Sequence, residues 1–375
     1  MSTPDADAQQ IAAAQQLAVD ARYLTDPNPR VGCILTDAAG RRIGAGHTQR
    51  AGGPHAEVMA LRDAAARGQS VAGATAYVTL EPCSHHGRTA PCCDALIAAG
   101  VRRVVASISD PNPLVAGRGF DRLRAAGVEV VVGPGADETR ELNIGFFSRM
   151  VRKTPWVRLK VAASLDGKTA LENGTSQWIT SEAARTDGHA WRARAGAILT
   201  GVGTVIEDDP RLDVRLVDTV RQPPLVIVDS RLQTPPSARL FDVEREVWIY
   251  AAARDEARAA ALEARGATVT CLSNPHGKVD LAALLRDLAA RQVNELHVEA
   301  GHKLNGSLMR EGLIDELLLY LAPKFIGDGL GIASHPHAGG ALTSLEGALA
   351  LEYRSFEPIG PDLRIVARVA GRDRF

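Results

Sequence analysis

The chain lacks any run approaching the roughly 18 consecutive apolar residues of a membrane-spanning helix. Its opening stretch, 11–19, is rich in Ala and Gln and is too short and too polar for the apolar segment of a secretory signal. Net charge is nearly absent: 43 Lys and Arg against 44 Asp and Glu leave −1, so no global basic field draws the chain to nucleic acid or an anionic membrane. There is no aromatic-plus-basic stripe on which single-stranded bases would stack, and no internal repeat. Cysteines are few and odd in number, at Cys33, Cys83, Cys92, Cys93 and Cys271, unlike a disulfide framework. A reducing, cytoplasmic compartment follows as the expectation, and it keeps thiolates available. Together these absences argue against a membrane protein, a secreted disulfide scaffold and a polynucleotide-binding protein. They favour a small-molecule substrate.

At 375 residues, 45% hydrophobic and 23% charged, the chain has the balance of a globular protein and the length of about two domains. Residues 1–8 read as a loose terminus and 12–21 as a first helix. A hairpin follows at 31–35 and 43–47, then a helix over 55–67 stopped by Gly68, a strand over 74–80 and a helix over 92–99 stopped by Gly100. Strands at 104–108 and 128–132 flank a helix at 119–126. A boundary is expected near 145–155. Beyond it, strands are expected at 157–163, 197–200, 225–229, 247–251, 267–271, 295–299, 317–322 and 363–369, with loops at 212–224 and 229–236. Strands alternating with helices argue an α/β architecture with largely parallel strands. Trp191 and Phe325 read as core residues, and the charge run 364–374 as a solvated strand edge and tail.

The informative residues are His55-Ala56-Glu57, followed by Pro82-Cys83 and then Cys92. One histidine and two cysteines can hold one Zn²⁺ and leave its fourth position open for water, as in a catalytic site. A glutamate two residues after the histidine is then placed to shuttle protons. This is the logic of zinc deaminases, H-x-E followed by P-C-x-x-C, although here eight residues separate the two cysteines. Both expected ligand segments open helices, where free N–H groups and partial positive charge favour thiolates. Cys93 adjoins Cys92 as an alternative ligand. Cys92 is preferred because it follows Pro91 and keeps the loop spacing. His85 and His86 are rivals in principle. The plainer alternative makes Cys83 and Cys92 buried small side chains and His55 a surface residue.

The segment from Thr79 to Cys92 (Thr-Leu-Glu-Pro-Cys-Ser-His-His-Gly-Arg-Thr-Ala-Pro-Cys), with Asn28-Pro29-Arg30-Val31-Gly32 before it and Ser109-Asp110-Pro111-Asn112-Pro113 after it, resembles the deaminase half of the bifunctional riboflavin-biosynthesis deaminase/reductase family, RibD/RibG. In that family the longer gap between the cysteines is normal. The resemblance implies that His55, Cys83 and Cys92 bind zinc and that Glu57 is the proton shuttle. It also implies that the substrate is 2,5-diamino-6-(5-phosphoribosylamino)pyrimidin-4-one, deaminated at its 2-amino group to 5-amino-6-(5-phosphoribosylamino)uracil. Asn28, His47, His86 and Arg88 are candidate substrate contacts, with a structural role equally open to each.

The second half has no G-x-G-x-x-G fingerprint, and Gly201-Val202-Gly203 is only a weak echo of one. A strand at 296–300 runs into Gly301-His302-Lys303-Leu304-Asn305-Gly306-Ser307 and a helix. Such a glycine-flanked turn lets backbone N–H groups approach a phosphate; a plain strand-to-helix turn is the other reading. Residues 157–170, Ser176 to Ser181, Gly203 to Leu212 and Val298 to Gly301 resemble the reductase half of the same family. That half implies a dihydrofolate-reductase-like fold and NADPH. Carried over, the resemblance places Ala162, Trp178, Thr204, Asp208, Ser230 and Gly301 to Ser307 on the cofactor. It places Ser176, Arg192, Leu212, Arg215 and Glu299 on the substrate, the arginines suiting a phosphate. Lys160 and Glu299 are polar candidates beside the sugar, with binding roles preferred over acid–base ones. The deaminated product would then be reduced at ribose C1′ to 5-amino-6-(5-phosphoribitylamino)uracil.

The expectation is therefore an α/β protein. Residues 1–150 would form a cytidine-deaminase-like α/β/α sandwich, the zinc-dependent pyrimidine deaminase. Residues 151–375 would form a dihydrofolate-reductase-like α/β domain, the NADPH-dependent reductase. The phosphorylated pyrimidine would be its small-molecule partner, without nucleic acid or membrane. Because both implied folds commonly pack across subunits, a homo-oligomer, dimer or tetramer, is expected. Two rivals remain: a nucleic-acid base deaminase with a binding module as its second half, and a second half that binds nucleotide without turnover.

Overall fold

The computed structural model describes residues 4–85, 90–113, 115–337 and 340–375. Its first unit, Met1–Arg152, is built on the hairpin expected at 31–35 and 43–47. After α1 (Pro4–Asp20), β1 (Gly32–Thr36) pairs antiparallel with β2 (Arg42–His47) and with β3 (Thr75–Val78). Helices α2 (Ala56–Ala66), α3 (Cys92–Ala98) and α4 (Arg118–Ala125) alternate with β3, β4 (Arg103–Ala106) and β5 (Glu129–Val132). The last three strands run parallel, giving the order β2-β1-β3-β4-β5. Helices α5 (Ala136–Leu142) and α6 (Ile144–Arg152) complete the unit.

Strand alternation decides which helix covers which face. Ile11 and Ala14 of α1 pack with Ile34, Tyr77 and Val105. On β2, Gly46 meets α2, where a Cβ would stand 2.5 Å from that of Met59. Layers on both faces make an α/β/α sandwich.

One reading of this unit is corrected. The supposedly loose terminus is helical from Pro4, because Asp7 is buried, accepts both Arg103 Nη groups at 2.8 and 2.9 Å, and accepts Tyr77 Oη–H. The two units divide between Arg152 and Lys153, within the boundary expected near 145–155, at the end of α6, which buries Phe146 and Phe147.

The second unit, Lys153–Phe375, centres on β6 (Trp156–Ser164), followed by β7 (Lys168–Leu171), α7 (Glu182–Arg194), β8 (Ala197–Gly201), α8 (Val202–Asp208) and β9 (Leu225–Val228). Next come β10 (Val247–Ala251), α9 (Glu256–Glu263), β11 (Ala267–Cys271), α10 (Leu281–Ala290), β12 (Glu295–Val298) and α11 (His302–Arg310). The chain ends through β13 (Glu316–Ala322), β14 (Gly329–Gly331), β15 (Leu351–Ile359) and β16 (Asp362–Val369). The main sheet has the order β11-β10-β9-β8-β12-β6-β13-β16-β15, and β14 pairs with β7 apart from it. Pairing is parallel from β11 through β13 and antiparallel thereafter.

In β6 and β12, alternation sorts apolar from charged side chains. Val157, Leu159, Val161, Leu296 and Val298 join the core with the leucines of α10. Arg158, Lys160, His297 and Glu299 take the alternate positions, and Trp191 and Arg192 of α7 reach them.

Strands β7, β14 and β15 were not foreseen. The first two are three or four residues long, and β15 is an exposed edge with little alternation. Two further readings fail. Phe325 is 81% exposed, although Trp191 does pack against buried Leu318 and Tyr320. The run 364–374 is not solvated throughout, for Arg368 is 2% exposed and paired with Glu316 and Asp373.

Candidate functional site

In the first unit, His55 is the N-cap of α2 and Cys92 is the first residue of α3, while Cys83 lies beyond β3. His55 Nδ1 stands 3.6 Å from Cys83 Sγ and 3.4 Å from Cys92 Sγ, and all three donor atoms lie within 4.8 Å of one another. A tetrahedral ion about 2.3 Å from sulfur and about 2.0 Å from nitrogen sets the N···S edge at roughly 3.5 Å. Nitrogen with two sulfurs is a zinc donor set, so the residues present fit the ion that the sequence implies. Glu57 is not part of the triangle. It is buried in the first turn of α2, and it interacts electrostatically with all three residues of the triangle.

The electrostatics favour a cation here. The Cys83 thiol is pulled down to about 4 by hydrogen bonding with Cys92 and, after a burial penalty, with His55. The Cys92 main-chain N–H also donates to Cys83 Sγ at 3.3 Å. Cys92 is shifted up in turn, by its hydrogen bond to Cys83 and by burial. Hydrogen bonding within the pair thus favours the thiolate at Cys83, the form in which cysteine binds a metal. Burial and then the Cys83 charge push the Glu57 carboxyl up to about 7, suiting it to carry a proton near neutral pH.

The rival ligands go elsewhere. Cys93 Sγ donates to Pro82 O at 3.2 Å and to Gly119 O at 3.5 Å. His85 is not in the triangle, and its Nδ1 is buried without a partner among the described residues. His47 ends β2 opposite Gly32, with Nδ1 3.1 Å from Thr48 O. Asn28, half-buried, precedes β1. His86 and Arg88 lie outside the described residues. Sequence reasoning quoted Asp110 only as part of a motif. It is buried and pushed up to about 7 by burial, Glu81 and Cys83.

In the second unit, Glu299, Arg192 and Lys160 form one cluster. Arg192 Nε and Nη2 both donate to the Glu299 carboxylate, and Lys160 Nζ lies 3.3 Å from it. Arg192 Nη1 donates to Asp213 O at 2.9 Å. Burial alone would raise the Glu299 pKa, but the Arg192 and Lys160 charges outweigh it and hold the carboxyl well below the usual range. Arg192, expected as a phosphate contact, is therefore largely engaged by protein groups.

Arg215 is different. Its side chain is half exposed and held by Asp213, and its main-chain N–H donates to His189 Nδ1. Leu212 is buried with a left-handed φ of 49°, and Arg245 donates to its carbonyl at 2.6 Å and to that of Arg211. Asp213, His189 and Arg245 escaped sequence reasoning, because nothing local marks an arginine that holds a distant loop. Ser176 is half-buried.

The expected cofactor residues divide. Gly301 is the N-cap of α11, and a Cβ on it would lie 3.8 Å from Thr204 Oγ1, so these two segments face each other. Leu304 fills the space beside Gly201, and Lys303 is exposed. Ala162 pairs with Tyr320 across the sheet. Asp208 ends α8, its carboxyl raised by burial and by Glu207. Trp178 is 61% exposed, with the Arg185 guanidinium 4.5 Å from its ring.

Other members of the set are occupied by the protein. His302 Nδ1 meets Ser334 Oγ, Asn305 Nδ2 donates to Ile332 O, and a Cβ on Gly306 would stand 1.7 Å from Ser334 O. Ser307 Oγ donates to Lys303 O, and Ser230 Oγ accepts the Val279 N–H.

Comparison with known proteins covers both units. Residues 5–108 match the cytidine and deoxycytidylate deaminase zinc-binding region, and residues 155–365 match the RibD C-terminal domain. The riboflavin biosynthesis protein RibD of Escherichia coli K12 is 45% identical over 367 residues, 94% of this chain and 96% of that protein. Acinetobacter baumannii RibD superposes with a TM-score of 0.89 at 38% identity, covering 98% of this chain and 99% of that one. A Thermotoga maritima diaminohydroxyphosphoribosylaminopyrimidine deaminase/5-amino-6-(5-phosphoribosylamino)uracil reductase does so at 0.84 and 30%, over the same shares. With relatives of this identity along nearly its whole length and residues 155–365, more than half of the chain, matched as a domain, the chain belongs to the RibD family of riboflavin biosynthesis proteins.

Proposed function

We propose that this chain catalyses two consecutive steps of riboflavin biosynthesis. Its first unit hydrolytically deaminates 2,5-diamino-6-(5-phosphoribosylamino)pyrimidin-4-one, consuming water and releasing ammonia. Its second reduces the resulting 5-amino-6-(5-phosphoribosylamino)uracil with NADPH, a hydride reaching ribose C1′ and a proton the ring oxygen. The observation that carries the reading is the His55/Cys83/Cys92 triangle with buried Glu57 beside it, in a chain whose two halves match the two family regions.

His55, Cys83 and Cys92 would hold one zinc ion, whose chemistry is to make a water acidic enough to yield hydroxide near neutral pH. Glu57 would take a first proton from that water and deliver it to the ring nitrogen, then take the second from the added hydroxyl and deliver it to the departing amine, which leaves as ammonia. In the second unit hydride transfer belongs to the cofactor, and the protein positions the reacting carbons. The start of α11 at Gly301, with Thr204 facing it, supplies main-chain N–H groups for the cofactor's phosphates. Arg215 meets the substrate phosphate, while Glu299 anchors Arg192 and Lys160 around it.

A homo-oligomer is supported by β15. This edge strand exposes Tyr353 at 65% and Phe356 at 54%, their rings 4.6 Å apart, and unpaired apolar edges invite another chain. Cytoplasmic location is the companion proposal; among the described residues no helix is long and apolar enough to cross a membrane.

The test is a coupled assay on purified protein, following ammonia and NADPH together, with and without a zinc chelator. Chelation should stop ammonia release but spare NADPH oxidation on added deaminated intermediate. Intact deamination without any NADPH oxidation would sink the reductase half of the proposal.

A further inference from the structure

The loop that carries Cys83 is fastened from behind by a carboxylate outside the ligand triangle. Glu81, 3% exposed, follows β3 and immediately precedes Pro82-Cys83. Its Oε2 accepts the main-chain N–H of Asp110 at 3.2 Å and of Gly117 at 2.9 Å, and its Oε1 accepts that of Gly119 at 2.9 Å. Gly117 is the N-cap of α4 and has no side chain to cap it. Glu81 supplies that cap from another part of the chain, with its negative charge on the positive end of the helix.

The junction leaves no slack. A Cβ on Gly119 would stand 2.1 Å from Pro82 O. From α3, Cys93 Sγ donates to both Pro82 O and Gly119 O. The strand end bearing Cys83, the helix beginning with Cys92 and the start of α4 are thus tied at Glu81-Pro82. A buried carboxylate with three amide donors is costly to disturb, because each donor loses its partner with it.

We propose that Glu81 is a positioning residue of the metal centre: with Gly119 and Cys93 it sets the angle at which Cys83 and Cys92 present their sulfurs. This rests on reading His55, Cys83 and Cys92 as the zinc ligands. Groups that orient metal ligands from outside the coordination shell are typically worth about 10–100-fold in metal affinity or activity.

The experiment uses the full-length zinc-loaded protein and the variants Glu81→Gln, Gly119→Ala, Cys93→Ala and Cys83→Ser. It reads the rate of zinc transfer to a chromophoric chelator, the thiolate-to-cobalt band after Co²⁺ substitution, and reductase turnover on added deaminated intermediate. Glu81→Gln turns one acceptor oxygen into an N–H₂ facing amide donors. It should release zinc about tenfold faster or more and shift the cobalt band, with reductase turnover unchanged. Gly119→Ala, which pushes the junction open from the other side, should do the same. The double variant should be little worse than the poorer single.

If both variants release zinc at the wild-type rate with an unshifted band and lose only melting temperature, Glu81 merely supports the fold and the proposal is overturned. Should Glu81→Gln fail to fold, Cys93→Ala removes a donor from the same junction and must itself speed release, or the proposal falls. Wild-type zinc retention by Cys83→Ser would overturn the ligand reading instead, which distinguishes that failure from a failure of the Glu81 role.

Discussion

Arg192 and Glu299 lie fork to fork, the Nε and Nη2 of one on the carboxylate oxygens of the other, 107 residues apart in sequence. Both side chains are nearly buried, at 13% and 12% exposure. Removing Arg192 leaves the buried Glu299 charge with Lys160 as its remaining cation, and breaking a buried pair is strongly destabilising.

Arg192→Ala should therefore cost the reductase unit about 3 kcal/mol, a fall of roughly 6–12 °C in its melting transition. Arg215→Ala, at a half-exposed side chain, should leave melting unchanged and raise the reductase KM about tenfold. Deaminase turnover should survive both. Calorimetry with separate assays of the two steps decides, and equal melting losses in the two variants would contradict the distinction.

For the first site, Glu57→Gln should keep stoichiometric zinc and lose nearly all ammonia release, since Glu57 stands outside the ligand triangle. Metal analysis beside the ammonia assay checks this. Loss of zinc would make Glu57 a ligand.

Acid should weaken the reductase unit through His189. Burial, then the charges of Arg192 and Arg215, hold its imidazole down to about 4 against an ordinary 6.5, despite the opposing charges of Glu299 and Asp213. The unfolded chain therefore binds the extra proton between these values. The contribution is complete above about pH 6.5 and is lost as pH falls towards 4, reaching about 3 kcal/mol there. Asn in place of His189 can still accept the Arg215 N–H through Oδ1, so His189→Asn should flatten the fall in melting temperature from pH 6.5 to 4. An unchanged slope in that variant would rule His189 out as its source.

Gly306→Ala tests the start of α11. With 1.7 Å between the added Cβ and Ser334 O, either the helix or the 332–334 segment must move, at about 1–3 kcal/mol. The KM for NADPH should rise while ammonia release stays at the wild-type rate. A normal KM for NADPH would separate α11 from the cofactor site.

Much of the architecture was legible because it repeats locally. Runs of strand-forming residues broken by turn residues marked β1, β2, β6 and β12, and glycines stopped α2 and α3. What escaped depended on distant partners. Pro4–Ala8 is helical because Asp7 finds Arg103 and Tyr77. Arg368 is buried because Glu316 and Asp373 neutralise it, while Phe325 is exposed despite its hydrophobicity. A local pattern records what a side chain prefers, not which partner the fold brings to it.

The sequence by itself determined the chemistry available at the first site: one histidine, a glutamate two residues on, and cysteines at two expected helix or strand ends. It favoured Cys92 over Cys93 only through the preceding proline and the loop spacing; adjacent helical residues differ by about 100° in direction, and the docking of α3 aims the first at His55 and the second at Pro82. Tertiary structure likewise decided that Arg192 serves Glu299 while Arg215 stays half exposed. A guanidinium bonds whichever carboxylate lies within reach, and reach across 107 residues is set by the folding of the sheet under α7.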